Sequence, residues 1–203
     1  MTTSVKSHQG ITTRQLAKVA ILSALAFVVM MIEFPLPIAP PFYKLDFSEV
    51  IVLMGGFALG PVYAVIIEAL KILLNVLFTG TSTAFVGEFA NFVMGFAFVF
   101  PAAMYYQYNK TKKGALLGMV FGTVILAVVS AFVNGFIMLP MYSALYHMPM
   151  ETIVAMGSAI FPAVTNVFTF CLFCVVPFNI VKGVLVSLIT YLAYKHVSPL
   201  LHS

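Results

Sequence analysis

The chain has 203 residues and a formal net charge of +4, with 62% hydrophobic and only 8% charged side chains. A soluble domain carries about 25% charged residues, so this composition excludes an ordinary water-soluble fold. A membrane-spanning helix needs about 20 apolar residues, which leaves room for about six of them. We therefore predict a single all-α membrane domain over residues 1–203, built as a bundle of six transmembrane helices.

The first predicted span covers Thr13–Ile32 and follows a tail, residues 1–12, that we expect to be flexible and cytoplasmic. Basic residues before an apolar run are also typical of a signal peptide. No small-residue cleavage site follows this run, so we interpret it as an uncleaved helix. Four prolines between Pro35 and Pro41 then exclude helix and predict an extended loop over residues 34–47.

The next three predicted spans are Ser48–Leu59, Val62–Phe78 and Ala84–Tyr106. Ser48 suits a helix N-cap, with an acidic residue, Glu49, in the first turn. The first two of these spans are short for a membrane helix.

The fifth predicted span covers Ala115–Leu139, and the sixth begins at Pro177 and ends near Lys195. Proline is favoured in the first turn of a helix, which is the reason for starting the last span there. The intervening residues 140–176 are predicted to be an outer loop region. Its apolar part, Glu151–Val176, is the alternative seventh span.

The basic residues predict the orientation, since Lys and Arg are enriched in cytoplasmic loops. They precede the first span, fill the Lys110–Lys113 loop and follow the last span at Lys195. Six spans place all three groups in the cytoplasm together with both termini, whereas seven spans would separate Lys195 from the others. The 34–47 loop then lies outside the cell (plasma) membrane.

An ionisable side chain at membrane depth needs a partner or a task. Glu68 and Lys71 share one helix face at i, i+3. They are either a mutual ion pair or the ion relay of a secondary transporter, and the sequence leaves both open. Cys171 and Cys174 form a single C-x-x-C without a second pair, which favours two buried small apolar side chains over a redox or metal site.

Motifs of catalysis and nucleotide binding are absent from the sequence. No G-x-x-x-x-G-K-[ST], H-E-x-x-H or G-x-S-x-G pattern occurs in it. We therefore predict that the chain is not an enzyme, has no P-loop ATPase of its own and uses no cofactor or metal. A purely structural membrane subunit without a ligand is a further possibility.

Asn179 and Lys182 share a face at the outer end of the last span, also at i, i+3. They could donate to and accept from a polar solute. Alternatively, Lys182 reaches the membrane interface and Asn179 caps backbone groups. Several polar residues among apolar helix faces are typical of a ligand pocket. The same outer level holds Tyr43, Lys44, Asp46 and Asn134.

Several segments carry a resemblance to one known family. These are Glu33–Pro37, Tyr43–Glu49, Gly56–Pro61, Phe78–Thr83 with Gly87–Asn91, and Pro177–Asn179 with Lys182–Gly183. They resemble the substrate-binding S components of energy-coupling-factor (ECF) vitamin transporters, and within these the riboflavin-specific branch. The resemblance covers almost the whole chain, from Ala17 to Lys195.

This resemblance implies high-affinity binding of riboflavin at the outer face and its ATP-driven uptake. The implied partners are a transmembrane coupling subunit and two ATPase subunits, and the 34–47 loop is implied to cover the pocket as a lid. No run of basic residues is dense enough to suggest nucleic-acid binding. It also implies a substrate-binding set: Tyr43, Lys44, Leu45, Asp46, Thr83, Gly87, Asn91, Asn134, Met138, Asn179 and Lys182. On the first span it implies a small-residue face that docks the coupling subunit, Ala17, Ala20 and Ala24. Packing of these alanines inside the bundle is the alternative.

Overall fold

The computed structural model of the chain describes residues 12–81 and 83–201, which are mainly helical. The predicted tail 1–12 lies outside the described residues except for Thr12, and so does the side chain of Lys195. The helices are α1 (Thr13–Met30), α2 (Ser48–Leu59), α3 (Pro61–Thr79), α4 (Val86–Tyr108), α5 (Lys112–Val133), α6 (Leu139–Leu145), α7 (Met150–Ser158), α8 (Val167–Phe170) and α9 (Val176–Leu201).

Within the described ranges, five helical stretches are long and apolar enough to cross a membrane: Thr13–Met30, Pro61–Thr79, Val86–Tyr108, Lys112–Leu145 and Val167–Tyr194. This confirms the predicted all-α membrane fold class. Helix α2 has only 12 residues, fewer than the about 20 that a full crossing requires. The sixth crossing therefore remains a prediction.

The short helix α2 lies at the centre of the bundle, because it packs against α1, α3, α4 and α9. A glycine makes this close packing possible. A Cβ at Gly56 would lie 2.9 Å from Ala64 Cβ and 3.0 Å from Ala103 Cβ, closer than side-chain carbons normally approach. The absence of a side chain at Gly56 thus lets α2 sit against both α3 and α4.

Two predicted helix boundaries at prolines are wrong, because the helices run through these prolines. Helix α5 continues through a π-helical turn, Asn134–Met138, into α6, and α8 continues through a second π turn, Cys171–Val175, into α9. Each π turn ends two residues before a proline, Pro140 or Pro177. Proline lacks an N–H and clashes with the carbonyl four residues earlier in a regular helix. The wider π turn moves that carbonyl away from the proline ring. The clash is relieved and the helix can continue.

The predicted loop region 140–176 is also wrong in its secondary structure, since α6, α7 and α8 occupy much of it. Its apolar side chains Ile153, Val164 and Phe170 form a buried cluster together with Leu139. Helix α7 has nine residues, too few to cross a membrane. Glu151–Val176 is therefore not a separate seventh span, and its last ten residues belong to the final helix.

The 34–47 loop folds back on itself as a small hairpin. Strand β1 (Phe34–Pro35) pairs antiparallel with strand β2 (Lys44–Leu45), and Phe34 lies opposite Leu45. The residues that follow β2 lead into α2 beside the first turns of α9, where Asp46 contacts Lys182.

Candidate ligand-binding site under the 34–47 loop

Tyr43 connects the 34–47 loop to two long helices. Its hydroxyl donates a 2.7 Å hydrogen bond to Asn134 Oδ1 in the first π turn. Its ring lies 5.6 Å from the ring of Phe178 and 6.4 Å from that of Phe170, measured between centroids. Burial raises the pKa of the Tyr43 hydroxyl well above its ordinary value, so this group remains a hydrogen-bond donor at neutral pH.

Leu45 packs the loop against the last helix. Its side chain is fully buried in a cluster with Ala39 and Phe178. Burial of a leucine side chain contributes about 1.5–3 kcal/mol, which favours the packed-down position of the loop.

The two asparagines of the predicted site use their amide groups in the same way. Asn134 Nδ2 donates to Ser130 O and Asn179 Nδ2 donates to Val175 O, both at 2.9 Å and both to the carbonyl four residues earlier. The alternative in which Asn179 caps a backbone group is therefore correct for its nitrogen. Each amide keeps a second N–H, and the side-chain oxygen of Asn179 can accept from a ligand, whereas that of Asn134 already accepts from Tyr43.

Lys182 is buried, and its ammonium has two acidic partners. Nζ lies 3.2 Å from Asp46 Oδ2 in the loop and 3.0 Å from Glu49 Oε1 on α2. Because the residue is only 8% exposed, the alternative in which Lys182 reaches the membrane interface is wrong. An ammonium carries three N–H donors, so two acidic partners leave one donor for a solute.

Asp46 joins the loop both to α2 and to α9. Its Oδ1 accepts a 2.8 Å hydrogen bond from the Ser48 backbone N–H at the start of α2. Burial acts to raise the pKa of Asp46, but Lys182 and Lys71 outweigh it and hold this pKa well below its ordinary value. The carboxylate is therefore ionised at neutral pH and pairs with Lys182 as a full charge.

The predicted Glu68–Lys71 ion pair is confirmed, with 2.8 Å between Lys71 Nζ and Glu68 Oε1 and neither side chain exposed. Lys71 also donates to Ser48 Oγ at 3.0 Å and lies 3.5 Å from Glu49 Oε1. The pair is thus part of a larger group, which we call the buried charge cluster. Its members are Asp46, Glu49, Glu68, Lys71 and Lys182.

Three further predicted site residues lie on α4 or just before it. Thr83 Oγ1 accepts a 2.9 Å hydrogen bond from the Gly87 backbone and donates to Glu88 Oε2 at 2.8 Å, which organises the start of the helix. Asn91 Oδ1 is buried, and no described residue donates a hydrogen bond to it. This oxygen is an acceptor available to a solute.

The remaining predicted site residues differ in their exposure. Met138 is fully buried at the end of the first π turn. Lys44 is instead exposed and pairs with Glu33 across the hairpin. The structure therefore places Met138 near Asn134 but leaves Lys44 on the surface of the loop.

The alanines predicted to dock a partner lie on an open face of α1. Ala17, Ala20 and Ala24 are all exposed in this chain, beside the exposed apolar side chains of Ile21 and Leu25. No helix of the described chain covers this face, so the alternative of packing inside the bundle is wrong.

Comparisons with known proteins identify the family. The family model for the ECF transporter substrate-specific component matches residues 14–194. The chain belongs to this family. It is 32% identical to the riboflavin transporter RibU of Staphylococcus aureus (strain TCH60), covering 91% of this chain and 90% of that relative. It is 28% identical to the riboflavin transporter FmnP of Bacillus subtilis (strain 168), covering 92% and 93% of the two chains.

A solved structure of the S component of a bacterial ECF transporter has the same fold. It matches with a TM-score of 0.72 and 33% sequence identity, covering 94% of this chain and 98% of that chain. The resemblance to S components is thus confirmed. The chain is a membrane transport subunit and not an enzyme, and such subunits need no cofactor.

This S component also has an apolar groove of about 500 Å³ between α5 and α9. Leu116, Val120 and Val124 line one wall, and Val184 and Leu188 line the other. None of the predicted substrate-binding residues borders it, and its apolar walls offer a polar solute few hydrogen bonds. The groove is therefore a poor candidate for the substrate site.

Glu49 is the charged site residue that the sequence reasoning missed. In the sequence it is predicted only as an acidic residue in the first turn of α2, where the helix dipole stabilises a negative charge. Its burial was signalled by another pattern: Lys71 and Lys182 both lie in apolar segments and both require acidic partners. Glu49 is 1% exposed and is the carboxylate that contacts both lysines.

Proposed function

We propose that this chain is the riboflavin-binding subunit of an ECF transporter and that it binds riboflavin beneath the 34–47 loop. The observation that carries the proposal is the convergence of loop and helix side chains at one end of the bundle. Tyr43 donates a hydrogen bond to Asn134 and Asp46 pairs with Lys182, so the loop lies over these two polar residues of the long helices. The names of the relatives support riboflavin as the solute.

The chemistry of the site suits riboflavin. Its flat ring system has an apolar body and an imide edge that offers one N–H donor between two carbonyl acceptors, and its side chain carries hydroxyl groups. The side-chain oxygens of Asn134 and Asn179 can accept from N–H or O–H groups, and the remaining N–H of Lys182 can donate to a carbonyl. The rings of Phe170 and Phe178 supply apolar contact for the ring system.

Entry of riboflavin requires the loop to move. In the described structure Leu45 and Tyr43 pack on Phe178 and leave the loop closed on α9. The loop can open at the cost of a limited set of contacts, because it is held to α5 and α9 by the Tyr43 hydrogen bond, the Asp46–Lys182 ion pair and the packing of Leu45 and the Tyr43 ring on Phe178. We propose that it is the lid over the bound vitamin.

We further propose that six crossings place both termini in the cytoplasm and the lid outside. The basic Lys110–Lys113 loop supports this orientation. Energy for release inward would come from two ATPase subunits through a transmembrane coupling subunit. The exposed alanine face of α1 supports docking there, since small residues let helix backbones approach closely.

Binding is tested with the purified chain and added riboflavin. Carried-over flavin would colour the protein yellow, with absorbance near ~450 nm that belongs to the flavin itself. We expect Asn179→Ala and Lys182→Ala each to weaken binding at least about tenfold. Ser187→Ala is the matched control, because Ser187 lies on the same helix two turns from Asn179 and outside the site. Unchanged affinity in both site variants would remove these residues from the site.

Uptake is tested in cells with and without co-expressed ATPase and coupling subunits. The proposal expects riboflavin uptake only when these subunits are present. Uptake by the chain alone, abolished by an uncoupler, would favour the ion-coupled alternative that uses Glu68 and Lys71.

A further inference from the structure

We infer that Glu49 is a positioning residue that holds the ammonium of Lys182 in place for the ligand. The inference rests on the proposed function, because it requires Lys182 to contact the bound solute. Glu49 Oε1 lies 3.0 Å from Lys182 Nζ, and the residue is 1% exposed. A charge-assisted contact of this kind in a buried site restricts where the ammonium can lie.

The two acidic partners of Lys182 differ in the part of the fold that carries them. Asp46 belongs to the 34–47 loop, which has to move when a solute enters. Glu49 lies in the first turn of α2, the helix that packs against α1, α3, α4 and α9 at the centre of the bundle. When the loop opens, Asp46 moves with it, and Glu49 is the carboxylate that stays beside Lys182.

Glu49 is available for this task because Lys71 has other partners. Lys71 Nζ lies 2.8 Å from Glu68 Oε1 and 3.0 Å from Ser48 Oγ, but 3.5 Å from Glu49 Oε1. The shorter contact of Glu49 is the one to Lys182. Its second oxygen, Oε2, has no hydrogen-bond partner among the described residues. The orientation of Glu49 is therefore set by the two ammonium groups on its Oε1 side.

This arrangement separates Glu49 from Glu68 in function. Glu68 contacts Lys71 on its own helix and has no ion pair with Lys182 among the described residues. Neutralising Glu49 removes the charge that fixes Lys182, whereas neutralising Glu68 leaves both contacts of Lys182 in place. Glu68→Gln is therefore the matched control for Glu49→Gln, since both remove one buried carboxylate charge from the same cluster.

The experiment is a double-mutant cycle on riboflavin affinity, measured by fluorescence quenching with the purified full-length chain. We expect Lys182→Gln and Glu49→Gln each to weaken binding about tenfold or more, and Glu68→Gln to change it less than about threefold. If Glu49 acts through Lys182, the double variant Glu49→Gln with Lys182→Gln binds no more weakly than Lys182→Gln alone. A residue that only supports the fold would give losses that add.

Thermal unfolding without ligand checks that each variant is folded. If Glu49→Gln does not fold, Glu49→Asp replaces it, because it keeps the charge and shortens the side chain. The expected result is then an intermediate loss of affinity that disappears in the Lys182→Gln background.

The outcomes separate this inference from the proposed function. If Lys182→Gln weakens binding but the Glu49 variants do not, or if the losses add, the positioning role is overturned and the riboflavin site stands. If Lys182→Gln leaves the affinity unchanged, Lys182 is not a ligand contact and both the assignment and the inference fail. If the unaltered chain binds no riboflavin, the proposed function itself is wrong.

Discussion

The hydroxyl of Tyr43 donates a 2.7 Å hydrogen bond to Asn134 Oδ1, although 91 residues separate them along the chain. The bond occupies an acceptor that we assign to the ligand. It also ties the lid loop to the π turn between α5 and α6. In the proposed site, Tyr43 would therefore compete with the solute for this oxygen while it holds the 34–47 loop closed.

We expect Tyr43→Phe to tighten riboflavin binding about threefold to tenfold. The phenyl ring keeps its packing on Phe178, but the hydrogen bond, worth about 1 kcal/mol, is lost from the ligand-free state. Titration of the purified variants by flavin fluorescence quenching measures the change. Tyr63→Phe, on α3, serves as the control. Weaker binding by Tyr43→Phe would instead make the Tyr43 hydroxyl a contact of the bound ligand.

We expect Gly95→Ala to destabilise the protein by about 1–3 kcal/mol, as overpacking of a buried site commonly does. A Cβ at this position on α4 would collide with the carboxylate of Glu68. Thermal unfolding in detergent measures the loss. Because the collision is with one side chain, the double variant Gly95→Ala with Glu68→Ala should lose less than the sum of the two single variants. Additive losses would mean that the α4 backbone, and not Glu68, limits the space.

We expect Ala20→Trp and Ala24→Trp to leave riboflavin binding unchanged and to abolish uptake by the assembled transporter. Both positions are exposed on α1, so a large side chain fits the isolated chain but prevents close approach of a partner helix. Leu192→Trp is the control, because Leu192 is 62% exposed and lies on another helix, α9. The prediction is checked by co-purification of the coupling subunit together with uptake. Normal co-purification of both alanine variants would place the docking surface elsewhere.

We expect a membrane-impermeant amine reagent applied to intact cells to modify Lys44 and to spare Lys112 and Lys113. Lys44 lies in the lid loop with 47% of its side chain exposed, and the proposed topology places that loop outside. Mass spectrometry of the labelled protein, with lysed cells as the control for reactivity, decides the orientation. Labelling of Lys112 or Lys113 but not of Lys44 in intact cells would invert the bundle and remove the basis for capture from outside.

Much of the membrane architecture followed from composition and local spacing. The apolar runs predicted the long helices, because a lipid-facing helix must be apolar over most of its length. The sequence predicts the Glu68–Lys71 ion pair for a similar reason, because residues three apart on a helix are neighbours in any fold. The sequence predicts a face of small residues on α1, but it does not predict that this face is exposed.

At two prolines, local sequence rules are not sufficient to predict where a helix ends. Pro140 and Pro177 were expected to bound helices, and each follows a π turn that lets its helix continue. Whether a proline ends a helix or is accommodated depends on the packing around the preceding turn. In this protein Gly135 of the first π turn lies against Cys171 of the second, a contact between residues far apart in the sequence.

The sequence by itself thus determined three features: an apolar helical bundle, a proline-rich loop, and a few ionisable groups that need partners. The choice of partners was made only by the tertiary structure. Lys182 could have reached the interface, but α2 and the lid loop bring Glu49 and Asp46 within 3.2 Å of its ammonium. Charges in apolar surroundings pair with whatever opposite charge the packing of distant helices brings near them, and no local pattern encodes that packing.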